Sequence, residues 1–161
     1  MTNPRRYIPN AEGDFSAALN SSPNGWTAAM GLHFVRATAD EVIAELEIGA
    51  VHLQSYGIVH GGVHSGVVET TCSVGAALNA MKHGNSVVGL ENHTSFLIAV
   101  REGKLRATAR PINRGRRTQV WEATIADAAG RAVASGRVRF FVLEAGAALA
   151  GETVRIQAEG A

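Results

Sequence analysis

One carboxylate stands alone in the middle of the longest apolar stretch of the sequence. Glu69 is the only residue with a fixed charge between Gly61 and Met81. Burying an unpaired carboxylate is costly, so a residue of this kind has either a partner or a chemical task. An arginine from elsewhere in the chain, or a solvent-facing position, would explain Glu69 without any chemistry.

The residues around Glu69 favour a ligand. If residues 61–81 form a helix, the rotation of about 100° per residue places Glu69 on a stripe of small residues. The other members of the stripe are Gly62, Ser65, Gly66, Cys72, Ser73 and Ala76. Small side chains on both sides of a carboxylate leave room for a ligand to reach it.

The segment before this helix indicates a second chemical group. It runs from Gln54 through His60 to the glycine pair Gly61 and Gly62. The glycines open the helix, where free backbone N–H groups and the positive end of the helix dipole meet. Such a position can polarise a carbonyl group or hold an oxyanion. The alternative is that residues 60–62 are only a tight turn into the helix.

Other kinds of site are not supported by the spacing. His60 and His64 are four residues apart, but on a helix Glu69 lies about 140° from His64 and about 180° from His60, so no metal-binding face forms. Ser65 is not part of a Gly-x-Ser-x-Gly motif, and Cys72 is expected to be a core thiol. No Gly-x-Gly-x-x-Gly motif follows a predicted strand. We therefore expect neither a metal nor a cofactor.

Four arginines lie close together around a predicted hairpin turn: Arg110, Arg114, Arg116 and Arg117. Guanidinium groups match the oxygens of phosphate, so such a cluster suits a phosphate-bearing ligand. A solvated loop is the alternative explanation for the same four residues.

The elements that must position these groups can be read from the hydrophobic pattern. Alternation of apolar and polar residues predicts antiparallel strands at residues 32–35, 42–48, 104–110 and 131–142. Two further strands are expected at residues 87–100 and 118–126. Residues 61–81 lack proline and alternation, and predict a helix about 30 Å long at roughly 1.5 Å per residue. This helix is apolar or small nearly all round, so it should be buried, and its polar residues argue against a membrane span. The expected class is α+β, with one long buried helix wrapped by an antiparallel sheet of five to six strands.

Length and composition suit one domain, since the chain has 161 residues. We expect an N-terminal extension at residues 1–22 with a short helix at 15–19 capped by Asp14, a domain at 23–144, and a tail at 145–161 with a weak strand at 153–157. Fifteen basic and fourteen acidic residues argue against a nucleic-acid partner. The single cysteine excludes a disulfide framework within the chain, and no apolar signal segment follows the first residues, so we expect a cytoplasmic setting.

The segment from Gln54 to Gly62, continued to Glu69, resembles the hotdog-fold acyl-CoA thioesterases. Residues 92–96, Asn-His-Thr-Ser-Phe, strengthen the resemblance. It is strongest to the branch that holds the glutamate-type 4-hydroxybenzoyl-CoA thioesterases and the phenylacetate-pathway thioesterases, and it covers roughly residues 28–143. The resemblance implies the hotdog fold and the hydrolysis of a CoA thioester to the free acid and CoA.

The resemblance also implies roles for single residues. Glu69 would be the catalytic carboxylate, which either attacks the thioester or activates water. Gly61 would give its backbone N–H to the thioester carbonyl, Gln54 would help to orient that end, and Ser73 would assist the water or the carboxylate. Contacts with the acyl-CoA substrate are expected from His60, Gly62, Asn92, His93, Thr94, Arg116 and Arg117. The last two replace small hydroxyl residues of the family, so only charge attraction to the CoA phosphates is expected of them.

Subunits of the resembled family pair through their sheets and share their sites across the interface, so a homodimer or a homotetramer of two dimers is expected. Gly61 and Glu69 are two helical turns apart, about 12 Å at roughly 1.5 Å per residue. That distance is too long for one subunit's pair to hold one carbonyl. We therefore expect Gly61 of one subunit to act with Glu69 of the other.

Two other functions remain open, a hotdog hydratase or dehydratase and a non-catalytic acyl-CoA-binding module. The first pairs a histidine with a carboxylate, which the helical angles disfavour, and the second has no need of Glu69. The acyl group remains open among benzoyl, phenylacetyl and medium aliphatic chains. Five aromatic residues can either line an acyl pocket or belong to the core: Trp26, Phe34, Tyr56, Phe96 and Trp121.

Overall fold

A computed structural model describes residues 13–23 and 25–153. The helices are α1 (Ser16–Ser21), α2 (Gly25–Ala29) and α3 (Gly61–Met81). The main strands are β1 (His33–Ala37), β2 (Val42–Glu47), β3 (Ser86–Phe96), β4 (Lys104–Arg114), β5 (Thr118–Ala126) and β6 (Ala132–Leu143). Two short strands follow, β7 (Ala148–Leu149) and β8 (Glu152–Thr153). The predicted bounds of α3 and β5 are confirmed, whereas β3 ends four residues earlier and β4 ends four residues later than expected.

The six main strands form one antiparallel sheet in the order β1-β2-β4-β5-β6-β3. Helix α3 packs on one face of this sheet and contacts β2 through β6. The alternation seen in the sequence sets the sides, since every second residue of β5, from Gln119 to Ile125, is buried. The expected α+β hotdog architecture, a long helix wrapped by a six-stranded sheet, is confirmed.

Trp121 fixes how closely α3 approaches the sheet. Its ring is fully buried and lies against Gly75, where an added Cβ would be 2.3 Å from Cζ3. The indole N–H donates to Gln119 Oε1 at 3.0 Å, and the Gln119 amide donates to the Ala76 carbonyl at 3.2 Å. The buried polar atoms of this contact are therefore paired, and the helix needs glycine at position 75.

This packing corrects the interpretation of the small-residue stripe. Cys72 and Ala76 share the stripe with Glu69, but both are 0% exposed because the sheet covers that side of the helix. Gly66 is covered by the ring of Trp26, whose Cζ2 would be 2.3 Å from an added Cβ. Many residues of the stripe are therefore small because other side chains pack closely on them. The space that remains for a ligand lies around Glu69 and at the start of the helix.

The predicted helix at residues 15–19 is found as α1, which begins one residue later and ends two residues later, and its N-cap residue is Phe15 rather than the expected Asp14. Asp14 Oδ1 accepts hydrogen bonds from Ser16 N and from Ala37 N of β1, each at 2.9 Å, so this carboxylate fastens α1 to the sheet edge. At the other end, β8 includes Thr153, and residues 154–157 of the expected strand lie outside the described residues. Within residues 13–23 and 25–153, no helix is long and apolar enough to cross a membrane.

Candidate active site

The first turn of α3 presents one free backbone donor. His60 caps the helix, with its Nδ1 accepting from Gly62 N at 2.8 Å and its carbonyl accepting from Val63 N at 2.9 Å. The N–H of Gly61 has no hydrogen-bond partner among the described residues. The structure therefore leaves the Gly61 N–H for a ligand, whereas the N–H of Gly62, expected at the substrate, is already used by the cap.

Phe96, at the end of β3, lies directly on this helix start. An added Cβ at Gly61 would be 2.7 Å from Phe96 Cε2, so the aromatic ring explains the glycine. The ring is 58% exposed and also lies beside His64, with the two ring centroids 6.0 Å apart. His64 is 3% exposed, its Nδ1 has no partner among the described residues, and burial lowers its pKa. Its imidazole is therefore a buried neutral group beneath Phe96.

Gln54 lies in a short loop that returns the chain to α3. Its backbone N–H donates to Ile58 O at 2.9 Å, and its Oε1 accepts from Tyr56 N at 3.1 Å. The amide NH2 of Gln54 has no partner in the described part of the chain and can donate to a ligand. Arg101 holds the same loop by donating to the carbonyls of Tyr56 at 2.8 Å and Gly57 at 3.1 Å. No local signal in the sequence pointed to Arg101, because its partners are backbone carbonyls more than forty residues away.

The Glu69 carboxylate is half-buried and is held by an amide rather than by a cation. Its Oε2 accepts from Asn92 Nδ2 at 2.9 Å, and the same amide donates to Ser65 O at 3.1 Å. Thr94 Oγ1 donates to Asn92 Oδ1 at 2.7 Å. The ion pairs of the described residues do not include Glu69. Of the two structural explanations left open by the sequence, an arginine partner is therefore not found within residues 13–23 and 25–153.

Two expected site residues form no hydrogen bond with the Glu69 carboxylate. Ser73, one turn after Glu69, donates its hydroxyl to Thr70 O at 3.1 Å. His93 pairs across the strands with Arg137 on the face of β3 that is turned away from α3, and it is exposed. The alternation of side chains along a strand separates His93 from its neighbours Asn92 and Thr94, which face the helix.

The predicted arginine cluster divides into two pairs. Arg110 is ion-paired with Glu41, and Arg114 is ion-paired with Asp40 and donates to Ala39 O at 3.0 Å. These two arginines fasten the β4 strand to the loop before β2. Arg116 and Arg117, at the β4–β5 turn, are exposed and have no ion pair within the described residues. Of the four arginines, these two can therefore bind a phosphate without breaking an ion pair seen among the described residues.

A cavity of about 380 Å³ opens at the start of α3. It is lined by Trp26, Met30, Val51, Leu53, His60, Gly62 and Val63. Among the aromatic candidates from the sequence, Phe34 and Trp121 belong to the core, Tyr56 is largely exposed, and Trp26 lines this cavity.

The side chains present do not suggest a metal centre. Within residues 13–23 and 25–153, no group of three or more His, Cys, Asp or Glu side chains lies close enough to hold a metal ion. The chemical groups of the site are therefore a backbone N–H at Gly61, an amide at Gln54 and a carboxylate at Glu69.

Similar proteins indicate the family to which the chain belongs. The sequence profile of the thioesterase superfamily matches residues 56–134. The chain is 42% identical over 118 residues to the "Putative esterase Rv1847" of Mycobacterium tuberculosis, and the aligned part covers 72% of this chain and 84% of that protein. It is 35% identical over 128 residues to the proofreading thioesterase EntH of Klebsiella pneumoniae, and the aligned part covers 79% of this chain and 93% of EntH.

Solved structures show the same fold. The thioesterase HI1161 of Haemophilus influenzae superposes with a TM-score of 0.73 at 29% identity, over 80% of this chain and 87% of that one. A mutant of the thioesterase PA1618 of Pseudomonas aeruginosa superposes with a TM-score of 0.75 at 25% identity, over 86% of this chain and 96% of that one. The family profile, the identity to EntH and the hotdog architecture lead to one conclusion: the chain belongs to the thioesterase superfamily and is a thioester hydrolase.

Proposed function

We propose that this chain hydrolyses acyl-CoA thioesters to the free acid and CoA, with an aromatic or medium-chain acyl group. The observation that supports the proposal most directly is the environment of the Glu69 carboxylate. It is half-buried, accepts a hydrogen bond from the Asn92 amide and forms no ion pair with the described residues. A carboxylate held for stability alone would be expected to pair with a positive charge.

The chemistry follows from three groups. The Gly61 N–H, helped by the Gln54 amide, donates to the thioester carbonyl oxygen and stabilises the negative charge that develops there. Glu69 then acts in one of two ways that need the same residues. It attacks the carbonyl carbon and expels the thiolate, and water cleaves the resulting anhydride, or it takes a proton from a water molecule that attacks in its place. In both cases the C–S bond breaks and the products are the acid and CoA.

We propose further that the working site lies between two copies of the chain. Gly61 and Glu69 of one copy are about 12 Å apart along α3, at roughly 1.5 Å per residue. Strand β3 is an edge of the sheet, and it and the residues that follow it carry the exposed apolar side chains Leu90, Leu97 and Ile98. An open apolar edge favours pairing with a second copy, which would bring Gly61 of one subunit to Glu69 of the other. A homodimer, or a homotetramer of two dimers, would satisfy this geometry.

The remaining parts of the substrate have separate candidate contacts. The exposed Arg116 and Arg117 would attract the phosphates of CoA, and the cavity beside Trp26 and Val63 would receive the acyl group. CoA thioesters are intracellular metabolites, so we place the reaction in the cytoplasm.

The test is thiol release from benzoyl-, 4-hydroxybenzoyl-, phenylacetyl- and hexanoyl-CoA. Turnover is expected for at least one ester and should fall by about a hundredfold or more in Glu69→Gln, on the usual scale of general acid–base catalysis. Glu122→Gln is the matched control, since Glu122 is exposed on the sheet face away from α3. A folded wild-type protein that binds CoA without releasing thiol from any ester would contradict the proposal and favour a binding module.

A further inference from the structure

The side-chain amide of Asn92 has only one orientation that suits its partners. Its Nδ2 contacts Glu69 Oε2 and Ser65 O, and both of these atoms can only accept hydrogen bonds. Both amide protons are therefore used, and Oδ1 is left to accept from the hydroxyl of Thr94. The chain of contacts runs in one direction, from Thr94 to Asn92 to the carboxylate of Glu69.

A β-bulge at Leu90 directs this amide toward the helix. The pairing of β3 with β6 shifts between Gly89, which lies opposite Phe140, and Glu91, which lies opposite Arg139. Because side chains alternate along a strand, one extra residue exchanges the two faces for everything that follows. Without the bulge, Glu91 and its successors at odd positions would face α3.

With the bulge, Asn92 lies opposite the buried Val138 and faces α3. Glu91 is instead on the outer face, where it forms an ion pair with Arg139 at 3.1 Å. The irregularity thus removes a second carboxylate from the neighbourhood of Glu69 and supplies an amide donor in its place.

Two glycines make room at the two ends of the contact chain. An added Cβ at Gly136, which pairs with Thr94, would be 2.7 Å from Thr94 Oγ1. An added Cβ at Gly89 would be 3.0 Å from Glu69 Oε1. The second glycine keeps a side chain away from Oε1, and this oxygen accepts no hydrogen bond from the described residues.

We propose that Asn92 and Thr94 are positioning residues that hold Glu69 by Oε2 and leave Oε1 as the reacting oxygen. In the attacking route Oε1 forms the bond to the thioester carbon as the thiolate leaves, and in the water route Oε1 receives the proton of the attacking water. This inference rests on the proposed thioesterase function and assigns the two carboxylate oxygens different tasks. It also replaces the expectation that Asn92 and Thr94 contact the substrate.

The kinetic test uses the preferred CoA ester and compares kcat with KM. Asn92→Leu should lower kcat by about tenfold or more with KM nearly unchanged, the scale for losing one hydrogen bond to a charged group. Thr94→Val should lower kcat less, and Thr94→Ser, which keeps the hydroxyl, should restore it. Thr124→Val is the matched control, because Thr124 is exposed on β5 and outside the site. A raised KM at constant kcat in Asn92→Leu would mean that Asn92 contacts substrate, and would overturn the inference, as would unchanged kinetics.

A structural measurement separates this inference from the proposed function. A crystal structure of the wild type should show Glu69 in one rotamer, and a crystal structure of Asn92→Leu should show Glu69 in several rotamers. If the wild type hydrolyses no thioester, the proposed function fails, and this comparison still decides whether Asn92 anchors the carboxylate. A single unchanged Glu69 rotamer in Asn92→Leu would overturn the anchoring.

Discussion

Phe96 lies on Gly61 at the point where the edge strand of the sheet meets the first turn of the long helix. The ring leaves no space for a Cβ at position 61, since Cε2 would be 2.7 Å away and Cζ 2.8 Å away. The free N–H of Gly61 therefore stands beside an aromatic surface that is more than half exposed. The ring contact requires a residue without a Cβ, whereas the N–H donor requires only a residue other than proline. Substitutions at position 61 can therefore separate the two features.

Gly61→Ala keeps the N–H but pushes the Phe96 ring aside. Alanine is favoured over glycine in a helix by up to about 1 kcal/mol, and displacing an exposed ring costs a similar amount, so the free energy of unfolding should change little. Thiol release should nevertheless fall, because the ring beside the carbonyl site has moved. The double variant Gly61→Ala/Phe96→Leu, in which the flat ring is replaced by a smaller side chain, should recover part of the loss. Equal activity in the single variant and the wild type would show that the ring position does not matter.

Two further glycines of α3 provide a matched pair for stability. An added Cβ at either Gly75 or Gly66 would be 2.3 Å from a tryptophan ring. The ring on Gly75 belongs to Trp121, which is fully buried, whereas the ring on Gly66 belongs to Trp26, which is 40% exposed. Gly75→Ala should therefore lower the free energy of unfolding by about 1–3 kcal/mol, the usual range for overpacking, and Gly66→Ala by clearly less. Chemical denaturation of both variants measures the difference, and equal losses would contradict this account of the two contacts.

His64 should make the protein less stable at acidic pH. Burial lowers the pKa of its imidazole in the folded state below the ordinary value of 6.5. The unfolded chain therefore takes up the proton first as the pH falls. The contribution of a neutral His64 to the free energy of unfolding is therefore fully present above about pH 6.5, and it is lost as the pH falls below that value.

The measurement is the loss of stability between pH 7.5 and pH 5.5, which should be smaller in His64→Leu than in the wild type. His33→Gln is the control, because His33 is exposed on β1. The same pH dependence in all three proteins would mean that His64 does not contribute.

Hydrophobic pattern alone predicted the elements that carry the site. Helix α3 has the predicted bounds, since a long stretch without proline or alternation between glycine and a polar turn has no other regular structure to adopt. Glu69 was identified because no other fixed charge lies in that stretch. Both inferences needed only local information.

The partners of Glu69 needed long-range information. Asn92 and His93 are neighbours of similar polarity, and the sequence offered both as substrate contacts without distinguishing them. Which of them faces α3 depends on the bulge at Leu90 in a strand that pairs with β6, some forty residues further along the chain. The ring of Trp26 on Gly66 has the same origin, since α2 and α3 are distant in sequence. Contacts of this kind leave no periodic signal.

The proposed sharing of the site between subunits can be tested by mixing two inactive variants. Gly61→Pro removes the N–H at the first helical position, where proline is well tolerated, and His60 already has the extended backbone, φ −67° and ψ 137°, that a following proline requires. Glu69→Ala removes the carboxylate. Gly61→Ala is the control for the first variant, because it places a Cβ against Phe96 as proline does but keeps the N–H.

If Gly61 of one subunit acts with Glu69 of the other, a dimer with one copy of each variant has one intact site and one site that lacks both groups. Random co-assembly then makes half of the dimers mixed, and thiol release should recover to about a quarter of the wild-type rate. If both groups act within one subunit, every site in the mixture lacks one of them and no activity returns. Co-assembly must therefore be verified by native mass spectrometry, since mixed dimers that form and stay inactive would reject the shared site.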